Sequence, residues 1–134
     1  MAETRFKYLS NEWSAECTKR FKKELTPEQM KHVTSSLLTV YNNCPDGKTR
    51  SVLYKITNGV VDQVSVVEGT PPKAEFSVTA DYDLFAKISR AEVKARAALM
   101  SGKMTLKGNL VKALRLSPIM DRLNKVMSTI PTDF

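Results

Sequence analysis

The chain has 134 residues, a length that suits one domain with a single core over residues 1–134. Its composition is that of an ordinary globular protein, and no apolar run approaches the ~18 residues that would predict a membrane span. The net charge of +7 would suit a nucleic-acid-binding protein, but the sequence lacks helix-turn-helix, zinc-ligand and RNA-recognition patterns, so we expect no nucleic acid partner.

The first predicted element is an amphipathic helix within residues 1–25. Ser10 provides its N-cap. Its apolar residues recur every four positions: Trp13, Cys17, Phe21 and Leu25. We expect this helix to pack its aromatic face on a sheet. The alternative is an exposed aromatic and basic face that contacts a membrane.

A second helix is predicted to begin at Thr26-Pro27-Glu28-Gln29. This stretch has a Thr cap, a Pro at the first helical position and a Gln three residues after the cap. The helix would contain Met30 and Val33. Residues 36–43 could continue it, but their β-branched residues favour a strand.

Three further strands are predicted before the next helix. Residues 51–57 and 60–67 form a hairpin through the two-residue turn Asn58-Gly59. Residues 75–79 form another strand after a Pro-rich loop. Consecutive strands joined by short turns predict an antiparallel sheet.

Two helices are predicted to follow this sheet segment. Asp81 caps the first, which carries Leu84, Phe85 and Ile88. Ser89-Arg90-Ala91-Glu92 has the pattern of a capping box that opens the second. The apolar face of the second helix consists of Val93, Ala97 and Met100.

A short strand is predicted next, after a positive-φ residue at Gly102. Lys103–Lys107 alternates polar and apolar residues, which gives the strand an apolar face of Met104 and Leu106. This face would point into the volume that the neighbouring helices enclose.

The last two predicted helices follow Gly108. Asn109 caps the first of them, which directs Leu110, Ala113 and Leu114 toward the same volume. Ser117 caps the last, with Pro118 at its first position. The apolar stripe of this last helix consists of Ile119, Met120, Leu123, Val126, Met127 and Ile130.

Two stretches together resemble the sterol carrier protein type 2 family. Residues 98–116 run from a helix through a Gly-Lys turn and a short strand to an apolar helix, and Phe76–Phe85 runs from a strand through an acidic cap to a Leu/Phe helix. The similarity extends from about Gly47 to Leu116. It implies an α+β fold, with an antiparallel sheet of about five strands and helices packed on one face, enclosing an apolar tunnel.

The resemblance implies non-catalytic binding and transfer of a lipid, namely a fatty acid, a fatty acyl-CoA or a sterol-like ligand. Lys103 or Arg115 is the candidate for holding an anionic headgroup. The expected tunnel lining consists of Leu84, Phe85, Ile88, Leu99, Met100, Met104, Leu106, Leu110, Leu114, Met120, Leu123 and Met127. The flexible methionines suit a cavity for varied ligands and equally suit an irregular core.

The alternative function is a protein-interaction or dimerisation module accessory to an enzyme, with a filled core and the last helix against a partner, including a second copy of the chain. Enzymatic activity, a cofactor and a metal are not expected. His32 is the single histidine, and no nucleophile elbow, phosphate loop or metal-ligand pair is present.

Partners and location are predicted from charge and termini. Residues 81–134 carry a net +5 and residues 1–80 a net +2, an excess that serves solubility or transient contact with an anionic membrane. Cys17 and Cys44 are expected to be reduced thiols. Because no signal region is seen and the C-terminal residues 132–134 lack a Ser-Lys-Leu address, we expect a small stand-alone cytoplasmic member of prokaryotic type.

Overall fold

The computed structural model describes residues 5–134, and the first four residues of the predicted N-terminal segment lie outside this range. The helices in it are α1 (Asn11–Glu24), α2 (Tyr82–Ser89), α3 (Ala95–Met100), α4 (Leu110–Arg115) and α5 (Ser117–Met127). The strands are β1 (Phe6–Lys7), β2 (Ser35–Asn42), β3 (Arg50–Thr57), β4 (Val60–Glu68), β5 (Phe76–Asp81), β6 (Thr105–Lys107) and β7 (Thr132–Asp133). The predicted α+β class and the five-stranded sheet are confirmed.

The sheet has the strand order β4-β3-β2-β5-β6. Its pairs are antiparallel except β2–β5, which is parallel with Leu37 opposite Phe76. This pair departs from the predicted all-antiparallel sheet because residues 69–75 carry the chain from the β4 edge across to the far side of β2. A separate parallel pair, β1–β7, joins Phe6 to Thr132 and brings the two ends of the described chain together.

Helix α1 forms as predicted and lies against β4. The Ser10 hydroxyl accepts a hydrogen bond of 3.1 Å from the backbone N–H of Trp13. Trp13, Cys17 and Phe21 are each 1% exposed or less. The aromatic face therefore belongs to the core, and the alternative of an exposed membrane-binding face is wrong for this helix.

The helix predicted from Thr26 is reduced to a single turn. Its capping box does form, with the N–H of Gln29 donating to the Thr26 hydroxyl at 3.1 Å and the Gln29 amide oxygen accepting from the Thr26 N–H at 2.9 Å. However, Lys31 and His32 adopt positive φ angles of 53° and 51°, which no α-helix accommodates. The fully buried Met30 anchors the turn, and the chain continues into β2.

The capping box predicted at Ser89 does not form. The Ser89 hydroxyl hydrogen-bonds to the hydroxyl of Tyr8 at 2.8 Å, so it caps no helix. Ala91 takes a positive φ of 61°, and α3 begins only after Lys94, whose side chain makes no capping bond. The hydroxyl of Tyr8, which is buried and distant in sequence, is thus the partner of Ser89 in place of the backbone N–H of a helix start.

The N-cap positions of the other helices are partly as predicted. The Asn109 side chain accepts from the N–H of Lys112 at 3.0 Å. Asp81 occupies the N-cap of α2, but its carboxylate accepts from the side chain of Asn43 instead of the helix. The predicted cap at Ser117 is wrong, because the N-cap of α5 is Leu116 and Ser117 is already helical.

The Asn58-Gly59 turn joins β3 to β4 with φ angles of 49° and 80°, as a type I′ hairpin requires. A Cβ on Gly59 would lie 2.7 Å from the carbonyl oxygen of Pro27. We therefore expect Gly59→Ala to lower the free energy of unfolding by about 2–4 kcal/mol, from backbone strain and overlap. Gly69→Ala is the control, since Gly69 also has a positive φ but open space around it, and should cost about 1 kcal/mol. Equal losses in urea denaturation would show that the Pro27 contact is unimportant.

Candidate functional site

A cavity of about 100 Å³ lies between the sheet and the helices and is partly open to solvent. Side chains of β2, β3, β5 and β6 line one side, and side chains of α2, α3, α4 and α5 line the other. Because side chains alternate along a strand, the same face of β2 supplies Leu37, Thr39 and Tyr41. The surface of the cavity is predominantly apolar.

Nine of the twelve residues that the sequence analysis named for the lining lie on this cavity. They are Phe85, Ile88, Leu99, Met104, Leu106, Leu114, Met120, Leu123 and Met127. They come from elements that are far apart in sequence, and the fold brings them together around one volume. Their role in ligand binding remains a prediction.

The other three residues lie outside the lining. Leu84 is half-buried and packs on the core elsewhere, whereas Met100 is 65% exposed and Leu110 is 49% exposed. The buried position of α3 is Ala98, so Met100, two residues further on, points to a different side of the helix. Leu110 is the first residue of α4 and faces solvent.

The part of the lining that lies on β2, β3 and β5 was not among the predicted site residues. It includes Tyr54 and Ile56 on β3 and Phe76 and Val78 on β5. The signal was present, because the predicted strands alternate and one face of each had to be apolar. Helix α5 also contributes Ile119, which belongs to its predicted apolar stripe.

Tyr41, Tyr54 and Ser89 contribute buried hydroxyl groups to the cavity wall. The Tyr8 hydroxyl lies 3.0 Å from the Tyr41 hydroxyl and 2.8 Å from the Ser89 hydroxyl. The Tyr54 hydroxyl donates to the thioether sulfur of Met127 at 3.7 Å, a weak acceptor. Burial raises the pKa of Tyr41 to about 12 and holds the pKa values of Tyr8 and Tyr54 well above the usual value. These groups are therefore neutral at physiological pH.

The tyrosine cluster makes stability sensitive to alkali. In the unfolded chain these phenols ionise near pH 10, but in the fold they keep their protons to higher pH. The unfolded state then binds fewer protons above pH 10, so the free energy of unfolding decreases as pH rises. We expect Tm to begin to decline from about pH 9, because the buried Cys17 thiol also keeps its proton in the fold, and to fall steeply between about pH 10 and 12, with tyrosinate absorbance appearing together with unfolding. Tyr54→Phe should flatten this decline. Full tyrosinate absorbance in a still-folded protein would contradict the burial argument.

Arg96 is the one charged residue among the described residues that line the cavity. It lies on α3 and is itself exposed. Lys103 and Arg115, the predicted headgroup ligands, are exposed and lie outside the lining. The structure thus puts a different cation at the cavity.

The described residues 5–134 contain no group of three or more His, Cys, Asp or Glu side chains that could hold a metal ion. Cys17 and Cys44 are both buried and unpaired, and burial raises the pKa of the Cys17 thiol. Within this same part of the chain, no helix has the length and apolar character needed to cross a membrane.

Comparisons with known proteins agree with one another. The sequence model of the SCP-2 sterol transfer family matches residues 19–121. A crystal structure of sterol carrier protein 2 superposes with a TM-score of 0.81 at 20% identity, covering 92% of this chain and 99% of that one. A conserved hypothetical protein of Thermus thermophilus, described as possibly a sterol carrier protein, gives a TM-score of 0.78 at 19% identity over 98% and 94%. The sterol carrier protein domain 2 of Helicoverpa armigera gives 0.62 at 13% identity over 93% and 95%. No curated protein sequence matches.

Proposed function

The chain belongs to the SCP-2 sterol transfer family, and from this premise we propose that it binds a lipid in the apolar cavity and transfers it. The observation that carries the proposal is the cavity itself, which has apolar walls from both the sheet and the helices. Burial of a lipid chain there would be favourable by roughly 0.8 kcal/mol per CH₂ group before ordering costs.

The size of the cavity indicates how the ligand is accommodated. Its volume of about 100 Å³ is below the ~300–1,000 Å³ of ordinary ligand pockets, so an acyl chain requires side chains to move. Met104, Met120 and Met127 supply flexible thioethers on the wall. Among the helices of the described chain, α4 is the one with no buried residue, whereas α5 buries five residues. We propose that displacement of α4 extends the cavity into the predicted tunnel.

A flexible acyl chain, in a fatty acid or a fatty acyl-CoA, suits this irregular volume better than a rigid sterol-like ring system. We propose binding without catalysis. In support, none of the described lining residues is a His, Cys, Asp, Glu or Lys, so the wall offers no acid–base or strongly nucleophilic pair. A cytoplasmic location stays a prediction from the sequence.

Delivery of the lipid is proposed to occur at an anionic membrane. Residues 93–116 contain six Lys or Arg and no Asp or Glu, close to the whole net charge of +7. The same segment carries exposed Met100, Leu110 and Val111, the last 61% exposed. Basic residues beside exposed apolar ones favour anionic lipid surfaces. This segment also lines the cavity, and its helices α3 and α4 contain only one buried residue between them. A membrane bound to the segment would therefore lie next to the part of the cavity wall that has the fewest buried residues.

The alternative of an accessory interaction module has less support. It required the apolar stripe of the last helix to face a partner. Ile119, Leu123, Val126 and Met127 are instead buried within this chain. Homodimer formation stays a prediction.

The first test is to denature the protein purified from its expression host and to identify co-purified lipids by mass spectrometry. We expect a near-stoichiometric acyl lipid, or uptake of a fluorescent fatty acid by lipid-free protein. A protein that purifies without lipid and also fails to bind fluorescent fatty acids would contradict the proposal of lipid binding.

A second experiment tests delivery. The rate at which the protein transfers a fluorescent fatty acid to vesicles should increase with the anionic phospholipid content of the vesicles and decrease with salt concentration. Equal rates to neutral vesicles would contradict the membrane step alone.

A further inference from the structure

Arg96 differs from the other cations of the chain in where it lies. Arg96 is exposed to solvent, yet it is also part of the cavity lining. Its side chain must therefore lie where the cavity meets solvent. No other charged residue among those described reaches the cavity wall. A ligand whose chain occupies the cavity would pass this guanidinium at the boundary.

Arg96 also forms no ion pair with the described part of the chain. Lys112 pairs with Glu75 at 2.5 Å and Arg50 pairs with Asp46 at 2.6 Å, whereas no carboxylate of residues 5–134 lies within 4 Å of Arg96. These paired cations are partly neutralised by their own chain. The guanidinium of Arg96 keeps its full capacity to bind an external anion bidentately.

A second polar group on the lining, the side-chain amide of Asn124, is also available to a ligand. Asn124 lies on α5, which packs against α3, and its side-chain amide makes no hydrogen bond to the described residues. An amide beside a cavity offers two donors and an acceptor to a ligand. Arg96 and Asn124 thus provide charge and hydrogen bonds from two helices in contact.

The remainder of the cavity is unsuited to an ionised group. Its buried hydroxyls are neutral, and Tyr41 and Ser89 already share their hydrogen bonds with Tyr8. A carboxylate moved into this part would lose its hydration without meeting a cation, which is costly. An anionic head therefore has one favourable place on the wall, at Arg96.

Building on the proposed function, we propose that Arg96, assisted by Asn124, binds the anionic head of an acyl ligand while the chain occupies the cavity. The ligand class is then an acyl chain with a carboxylate or phosphate head, in preference to an uncharged alcohol or ester. Lys103 and Arg115 have no part in this contact.

The test compares hexadecanoate, hexadecanol and hexadecanoyl-CoA in equilibrium binding at about pH 8, where the carboxyl group is ionised. We expect Arg96→Gln to weaken hexadecanoate about tenfold and to leave hexadecanol within about twofold. Arg115→Gln removes the same charge from an exposed position outside the lining, and it should leave the affinity for both hexadecanoate and hexadecanol unchanged. Arg96→Lys should restore part of the affinity. A parallel loss for hexadecanoyl-CoA would assign the site to its phosphates as well, and a loss for hexadecanoate alone would assign it to the carboxylate.

Four outcomes would overturn the assignment. Equal loss of hexadecanoate and hexadecanol in Arg96→Gln would mean that Arg96 supports the shape of the cavity. Equal effects of the Arg96 and Arg115 variants would mean that only total charge matters. Unchanged hexadecanoate affinity in Arg96→Gln, with the unmodified protein binding both ligands, would remove the headgroup site and leave lipid binding intact. Failure of the unmodified protein to bind any of the three ligands would remove both proposals.

Discussion

Replacing Leu114 with Trp is expected to weaken acyl-ligand binding about a hundredfold and to leave Tm nearly unchanged. Leu114 is half-buried on α4 and lines the cavity. The larger indole would occupy much of the 100 Å³ volume that an acyl chain needs. Because α4 has no fully buried residue, it can absorb the added bulk at little cost in stability. Binding of a fluorescent fatty acid, measured beside thermal unfolding, separates the two effects.

Leu110→Trp is the matched control for this variant. Leu110 lies on the same helix, is exposed and is absent from the lining. The same substitution there should leave affinity within about twofold. If both variants bind like the unmodified protein, the lipid does not occupy this cavity. If both lose binding equally, α4 acts through its surface and the cavity assignment is wrong.

Local sequence patterns were sufficient for most elements but not for how they pair. The Asn58-Gly59 turn and the Ser10 cap are set by residues adjacent in sequence, and both form. The parallel pairing of β2 with β5 depends on where residues 69–75 carry the chain, and nothing in the strands themselves encodes that path. The β1–β7 pair is likewise a contact between distant residues.

Predicted caps failed where a tertiary partner competed for the capping group. Ser89 had the sequence of a capping box, yet its hydroxyl bonds to Tyr8, 81 residues away. A buried hydroxyl gains more from a partner inside the core than a solvent-exposed helix start gains from a cap. The box at Thr26 formed its hydrogen bonds, but positive φ angles at Lys31 and His32 stopped the helix.

The candidate site was predictable on its helical side because amphipathic helices show their apolar face in sequence. Phe85, Leu114 and Leu123 follow that periodicity and line the cavity. The apolar face predicted for α3 was wrong, because Met100 on that face is exposed. Arg96 was missed because an exposed cation on a short helix has no sequence signature that distinguishes it from other basic residues. Its place beside the cavity depends on how α3 packs against α5, which is a property of the fold.

Trp13→Ala is expected to cost about 3–5 kcal/mol of unfolding free energy, a large part of the ~5–15 kcal/mol that holds a domain of this kind together. Trp13 is 1% exposed, and its ring meets the ring of Tyr8 edge to face, with centroids 5.0 Å apart at 81°. Its removal would leave a void between α1 and the rest of the core and would loosen Tyr8, which bonds to Tyr41. We expect Tm to fall by roughly 10–20 °C.

Lys19→Ala provides the comparison on the same helix, because Lys19 is exposed and the change should alter stability by less than about 0.5 kcal/mol. Urea denaturation of both variants decides the role of α1. If Trp13→Ala costs no more than Lys19→Ala, α1 is not part of the folded core. A large loss would instead mean that the sheet and α1 unfold as one unit, and that the aromatic face of this helix is needed for the fold and cannot also serve as a membrane contact.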